Sequence, residues 1–274
     1  MINRRAFSAT LAGGTAALLA ASAMAQAPQA SQAWQGTRAE ARPRRNTGTR
    51  VRNVVLVHGA YADGSCWSEV IGRLQAAGLK ATAVQNPLTS LADDVEATRR
   101  ILALQDGPTV LVGHSWAGMV ISEAGLAPEV SALVYVSARA PDAGEDFAAL
   151  AAKFPKPPAS SGLVTSGGFA QLSEEAFLRD FAGDIDPAQA RVLYAVQGRI
   201  STNLFSGRTT VAAWRSKPSW YQVSTHDRTI DPELERFLAR RMKATTIELP
   251  ASHLALISHP NEITELILDA AANS

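Results

Sequence analysis

From Val51 onward, short aliphatic and β-branched runs alternate with segments whose apolar positions recur at helical spacing. That alternation predicts βαβ units and a mostly parallel sheet. Val54-Val55-Leu56-Val57 predicts a first strand over Asn53 to Val57, then a Gly-rich loop and a helix from about Ser65 to Ala77. Lys80 to Val84 reads as the next strand. Leu91, Val95, Thr98 and Leu102 fall at i, i+4, i+7 and i+11, which predicts an amphipathic helix with Asp93, Asp94 and Arg99 turned outward. Thr109 to Val112 and Ala132 to Val136 read as short buried strands, with Ser115 in the turn after the first and a helix of small residues from Trp116. After Ala140 the rhythm breaks. Residues 141 to 215 carry helical pieces around Glu174 to Ala182 and Pro187 to Gln197 among Pro and Gly clusters, with no convincing strand, and so predict a helical cap. The alternation resumes with a strand at Trp220 to Ser224, a helix at Pro232 to Met242, a strand at Thr245 to Leu249 and a closing helix from Pro260 to Ala271. The expected class is α/β, a mostly parallel doubly wound sheet in one domain over 51–274, capped at about 141–215.

The first 50 residues read differently. Arg4 and Arg5 precede an uncharged Ala/Leu/Gly segment that ends in Ala23-Met24-Ala25, which predicts a signal peptide over 1–25 and no stable membrane insertion after its cleavage. The paired arginines followed by Phe7 resemble a twin-arginine export motif, an ordinary secretion signal being the alternative; either implies export, in a bacterium to the periplasm. Residues 26–50, rich in Gln, Ala, Pro, Arg and Thr, read as a disordered linker. The net charge of +1 hides an asymmetry: basic residues crowd into this leader and linker, leaving the domain mildly acidic. Such a domain offers no electrostatic footprint for nucleic acid, so the expected partner is a small-molecule substrate. With 274 residues, 46% of them hydrophobic, the chain can bury a sizeable core. Its single cysteine, Cys66, allows no internal disulfide and reads as a packed thiol.

The strongest chemical signal is Val110-Leu111-Val112-Gly113-His114-Ser115-Trp116-Ala117-Gly118, a strand, a tight turn and a helix with serine at the turn. In such a nucleophile elbow, small neighbours let strand and helix approach while the serine oxygen stands out at the sheet's carboxyl edge. Ala117 stands where a second glycine is usual. Serine is a weak nucleophile without a base, and the base needs an orienting acid. His253, in a loop after the strand Thr245 to Leu249, is the candidate base; His259 precedes Pro260 and reads as a helix entry. Asp227 follows the strand ending near Ser224 and is the candidate acid, whereas Asp231, before Pro232 and Glu233, reads as a helix N-cap. His58-Gly59-Ala60 after the first strand completes the set, with the amides of Ala60 and Trp116 as oxyanion donors. His58 and His114 read as structural. Trp67, Trp116, Tyr61 and Phe169 are candidates to line an apolar pocket, and Phe169, Phe177 and Phe181 to carry cap contacts with substrate.

With these residues in place, the chain resembles the α/β-hydrolase superfamily over residues 51 to 272. Val55-Leu56-Val57-His58-Gly59-Ala60, Gly64-Ser65-Cys66-Trp67, Gly113-His114-Ser115 and Ser252-His253 are similar in particular to the branch of small-molecule esterases, plant methyl esterases and hydroxynitrile lyases. The resemblance implies a site without cofactor or metal, a triad of Ser115, Asp227 and His253, and an oxyanion hole at Ala60 and Trp116. Hydroxynitrile lyases of this branch carry lysine after the catalytic histidine and threonine in place of Gly59; Leu254 and Gly59 here favour hydrolysis. Ser115 excludes relatives with an aspartate nucleophile. Hydrolysis of an ester through an acyl-enzyme is the expected function. Lactone or carbon-carbon bond hydrolysis shares the triad, and a lyase or a low-turnover ligand-binding protein on this fold are the remaining alternatives.

Overall fold

The computed structural model describes residues 50–274, so the leader and all of the linker but Arg50 lie outside the described residues. In chain order the elements are β1 (Asn53–Val57), α1 (Ser68–Ala76), β2 (Lys80–Val84), α2 (Leu91–Leu102), β3 (Thr109–His114), α3 (Ala117–Ala124), β4 (Val130–Val136), α4 (Phe147–Ala151), β5 (Leu163–Ser166) and β6 (Phe169–Leu172). There follow α5 (Glu174–Ala176), α6 (Pro187–Ala195), β7 (Ile200–Ser201), β8 (Ser219–Ser224), α7 (Pro232–Met242), β9 (Thr245–Leu249), α8 (Ala255–Ser258) and α9 (Pro260–Asn273).

Six strands form one sheet in the order β2-β1-β3-β4-β8-β9, every neighbouring pair parallel. Helices cover both faces, α1 packing with α9 and α2 with α3. This explains why β1 and β3 read as continuous apolar runs: all their residues are buried, with no solvent face to impose alternation. The strand order reverses beside β1, and at such a switch point loops from the carboxyl ends of neighbouring strands diverge and leave a crevice. The loops after β1, β3, β8 and β9 all open on this carboxyl edge, which is where the candidate chemistry lies.

Two expectations are corrected. Asp94 is fully buried rather than turned outward, because its carboxylate accepts from the Leu88 amide at 2.8 Å and from the Trp116 indole N–H at 2.8 Å. A polar residue beside the apolar stripe can go inside when its oxygens are satisfied there. The 141–215 insertion also contains strands: β5, β6 and β7 form a small antiparallel sheet. Its strands are two to four residues long and β5 is wholly exposed, so no apolar pattern announced it. The predicted helix at 174–182 is one short turn, α5, running into a π-helical turn at Phe177–Phe181.

The insertion is tied to the main body by polar contacts. Thr210 donates through its backbone and its hydroxyl to Glu123, both at 2.6 Å, and Arg241 spans Glu145 and the Ala140 carbonyl. Buried Asp180 accepts from Arg179 and Arg228, and these guanidinium groups hold its carboxyl below the usual aspartate range.

Candidate active site

Ser115 stands at the tip of the β3 to α3 turn with φ at 55°, a left-handed backbone that L-residues other than Gly adopt at a cost of about 1–2 kcal/mol. The turn is held from β4. The Ser115 amide donates to the Val136 carbonyl at 3.0 Å, and the Ser115 carbonyl accepts from the amides of Gly118 at 3.1 Å and Arg139 at 3.0 Å. Close approach accounts for two glycines. A Cβ on Gly118 would collide with the Arg139 carbonyl, so the small residue this elbow requires sits at 118, while the Ala117 methyl is simply buried. A Cβ on Gly59 would come within 2.7 Å of the Ser115 Cβ, so any larger residue there would push on the nucleophile.

The structure brings three of the predicted residues into one line. His253 Nε2 lies 2.7 Å from Ser115 Oγ, and His253 Nδ1 lies 2.5 Å from Asp227 Oδ2. With the ring proton on Nδ1, the imidazole donates to the carboxylate and offers Nε2 to the serine hydroxyl. The other Asp227 oxygen accepts the amides of Thr229 at 2.6 Å and Ile230 at 2.9 Å, which fixes the carboxylate's rotation. Asp231 instead caps α7, accepting from Glu233 at 3.0 Å and Leu234 at 3.4 Å. Ala60 and Trp116 line the same cavity as Ser115, and neither amide donates to another group among the described residues.

Two further histidines, His58 and His114, hold backbone in place. His58 accepts the Asn86 amide on Nε2 at 2.9 Å, with Nδ1 2.9 Å from the Gly59 carbonyl. His114 packs its ring against that of His253, centroids 4.8 Å apart, and its Nε2 lies 2.9 Å from the His253 carbonyl. Burial pushes the pKa of both rings down, and they serve as neutral props. Cys66 is buried and its thiol is pushed well up by burial, the opposite of an activated thiolate.

Three supporting residues went unnoticed in the sequence. Asp184, in the insertion, accepts the Ser252 amide at 3.0 Å and the Ser252 hydroxyl, pinning the loop that carries His253. Glu235 is fully buried behind Asp227 and accepts the Ser224 amide at 2.9 Å. Burial, reinforced by the neighbouring Asp227 carboxylate, raises its pKa well above the ordinary 4.5, which favours the protonated form. Asp94 is the third: burial pushes it up to about 6, and it anchors the Trp116 ring. Only Asp94 left a trace, a polar residue adjoining an apolar stripe. Asp227, Glu235 and His253 each offer a ligating atom within 4.8 Å of the others, a spacing open to a metal ion. Both imidazole nitrogens are already engaged, one by Asp227 and the other by Ser115.

A cavity of about 610 Å³ opens over Ser115, largely apolar and within the size range of small-ligand sites. Tyr61 and Trp116 line it as expected, joined by Phe147, Phe154 and Phe205. Trp67 is instead buried in the core, and Phe169 is 42% exposed on the small sheet. Phe177 and Phe181 do not line this cavity; Phe181 packs on the His253 ring, centroids 5.1 Å apart, because the π-turn faces the histidine loop.

A six-stranded parallel sheet with this elbow at its carboxyl edge defines a hydrolytic enzyme. The chain belongs to the alpha/beta hydrolase family, whose model matches residues 54–266. It is similar to a pyrethroid hydrolase of Sphingobium wenxiniae, 26% identical over 81% of this chain and 88% of that protein. Methylesterase 8 of Arabidopsis thaliana is 25% identical over 80% of this chain and 89% of its own. Among solved structures, a polyneuridine aldehyde esterase is alike in fold, with a TM-score of 0.69 at 21% identity over 80% of this chain and 99% of that one.

The two aspartates four residues apart should fail differently. Asp227→Asn keeps the shape but loses the charge that steadies the imidazolium, and should lower kcat by up to about 10⁴-fold with folding intact. Asp231→Ala should cost about 1 kcal/mol of stability and leave kcat near wild type. Melts and kinetics on both variants check this, and a collapsed kcat in Asp231→Ala beside a normal Asp227→Asn would reverse the assignment. Glu235 supplies a pH test. Its raised pKa favours folding below the ordinary 4.5, and that contribution is lost as pH rises through the folded-state value. Glu235→Gln, neutral at every pH, should therefore gain in melting temperature over wild type as pH climbs from about 4.5. A gap that does not change with pH would show that Glu235 is ionised throughout.

Proposed function

We propose that this α/β-hydrolase is a serine esterase acting on small esters with apolar groups, through an acyl-enzyme on Ser115. One observation carries the reading: Ser115 Oγ, the two nitrogens of His253 and Asp227 form a continuous hydrogen-bonded line at the floor of an apolar cavity. In the first half-reaction His253 Nε2 takes the hydroxyl proton as Oγ attacks the ester carbonyl, and Asp227 stabilises the imidazolium that results. The Ala60 and Trp116 amides receive the oxyanion, a contribution of about 3 kcal/mol from a single donor. Collapse of the tetrahedral intermediate breaks the bond to the alcohol oxygen, which takes the proton from His253. Water then attacks the acyl-enzyme by the same route, with His253 again as base, releasing the acid and restoring Oγ–H. The esterase names of the relatives support this substrate class.

The Arg4-Arg5 leader ending at Ala25 supports export, with the catalytic domain starting near Val51. Protein recovered from the periplasm of a bacterial host should begin at Gln26. Full-length chain starting at Met1 and confined to the cytoplasm would contradict that reading.

The purified domain should hydrolyse short 4-nitrophenyl esters without added metal and take up one fluorophosphonate, with loss of activity. Peptide mapping should place the label on Ser115, and Ser115→Ala should take up none. Ester hydrolysis that survives complete labelling, or in Ser115→Ala at the wild-type rate, would rule out Ser115 as the nucleophile.

A further inference from the structure

The cavity above Ser115 is lined mainly by apolar groups, yet it contains a cation that the proposed chemistry does not use. Arg139 follows β4, and its backbone amide bonds to the Ser115 carbonyl, so its side chain starts beside the nucleophile and lines the cavity. The guanidinium carbon lies over three rings, 4.1 Å from the centroid of Phe205, 5.1 Å from Phe147 and 5.6 Å from Trp116. Among the described residues it has no ion pair, and none of its five N–H donors meets an acceptor. Arg179, Arg228 and Arg241, by contrast, are each paired with a carboxylate.

Arg139 is half-buried, so its guanidinium meets only the ring faces, which supply about 0.5–2 kcal/mol of attraction, and the open space of the cavity. Desolvation pushes the group down to about 10, which still leaves it charged at neutral pH. Among the described residues the only carboxylate lining the cavity is Asp231, which is occupied as the α7 cap and has no hydrogen bond or ion pair with Arg139. Exposed Lys156 adds a second cation at the wall, and the Tyr61 hydroxyl, pushed up to about 12 by burial, remains a donor with no partner among the described residues. Neither the elbow nor the triad requires a guanidinium here, since the contact to Ser115 is made by backbone. What the arrangement lacks is an acceptor with two oxygens, the shape that a guanidinium fork binds best.

We propose that Arg139 is the anchor for a substrate carboxylate, so that the preferred substrates are anionic esters: an ester carbonyl at Ser115 and, a few carbons away, a carboxylate on Arg139. The idea rests on the esterase reading and narrows it to half-esters of dicarboxylic acids and their chemical equivalents. The aliphatic stretch between the two groups would lie against the aromatic walls, and the charge would meet the only unpaired guanidinium described in the cavity.

The test compares esters of equal length with and without charge: 4-nitrophenyl half-esters of adipic and suberic acid against 4-nitrophenyl hexanoate and octanoate, each corrected for spontaneous hydrolysis. Wild type should favour the half-ester through a lower KM. Arg139→Met should lower the charged-to-neutral ratio of kcat/KM by about 10-fold to 100-fold, the loss expected for hydrogen bonds to a charged group. Arg139→Lys, which keeps the charge but not the fork, should retain part of the preference and remains informative if the Met variant does not fold. Equal ratios in wild type and variants, or a wild-type preference for the neutral esters, would overturn the proposal. A second arm is independent of turnover. Calorimetry should show suberate binding to Ser115→Ala protein and no binding once Arg139→Met is added. Binding that is absent at millimolar suberate, or unaffected by Arg139→Met, would count against the anchor. If no ester is hydrolysed but suberate binds in an Arg139-dependent way, the anchor stands and the esterase reading fails.

Discussion

The left-handed backbone at Ser115 is the constraint on which the rest of the site depends. It turns the chain from β3 towards α3, which lifts Oγ out of the sheet and leaves the Trp116 amide without an acceptor among the described residues. A conformation that costs about 1–2 kcal/mol persists only where its surroundings over-determine it. Here three backbone hydrogen bonds do so, linking Ser115 to the end of β4, the start of α3 and Arg139. The glycines at 59 and 118 follow from the same turn, since each lies where a methyl would strike the elbow or the chain that braces it.

Around that fixed point the parallel sheet works as a collector. Residues far apart in the chain meet because each lies just past the carboxyl end of a strand: Ala60 after β1, Ser115 after β3, Asp227 after β8 and His253 after β9. Buried polar groups then set the angles. Asp94 holds the Trp116 ring, His114 props the His253 carbonyl, Asp184 ties down Ser252, and Glu235 sits behind Asp227. Asp94 and Asp184 are satisfied by named partners, while His114 Nδ1 and Glu235 Oε1 are buried without one among the described residues, and burial favours the neutral form of both groups. Half-buried Arg139 faces aromatic rings in place of a carboxylate, and it does so in the cavity over Ser115.

Much of this was legible before folding. Pattern located every strand of the main sheet: burial on both faces writes aliphatic runs in β1, β3 and β4, whereas the edge strands β2 and β9 are largely exposed or half-buried and were marked by their place between helices. Strand, glycine, serine and glycine in close order marked the elbow, and the rule that helix caps precede Pro and Glu separated Asp231 from Asp227. What escaped was whatever depended on a partner distant in sequence. Asp94 looks solvated on a helical wheel until Trp116 arrives from 22 residues away. The cap's small sheet has strands too short and too exposed to leave an alternating signature. Phe177 and Phe181, expected to carry cap contacts with substrate, are buried instead, with Phe181 against the histidine loop, a matter of cap orientation that local pattern does not encode. The isolation of Arg139 is likewise a property of the assembled cavity.

The central claim is that Ser115 becomes covalently acylated during turnover. Rapid acid quench of the enzyme mixed with excess ester, followed by intact and peptide mass measurement, tests it most directly. The account predicts an added mass equal to the acyl group on the peptide containing Ser115, appearing within one turnover and decaying as substrate is consumed. Sustained product release with no adduct on Ser115 at any quench time, while a competent chemical acyl-Ser115 standard survives the same work-up, would contradict it.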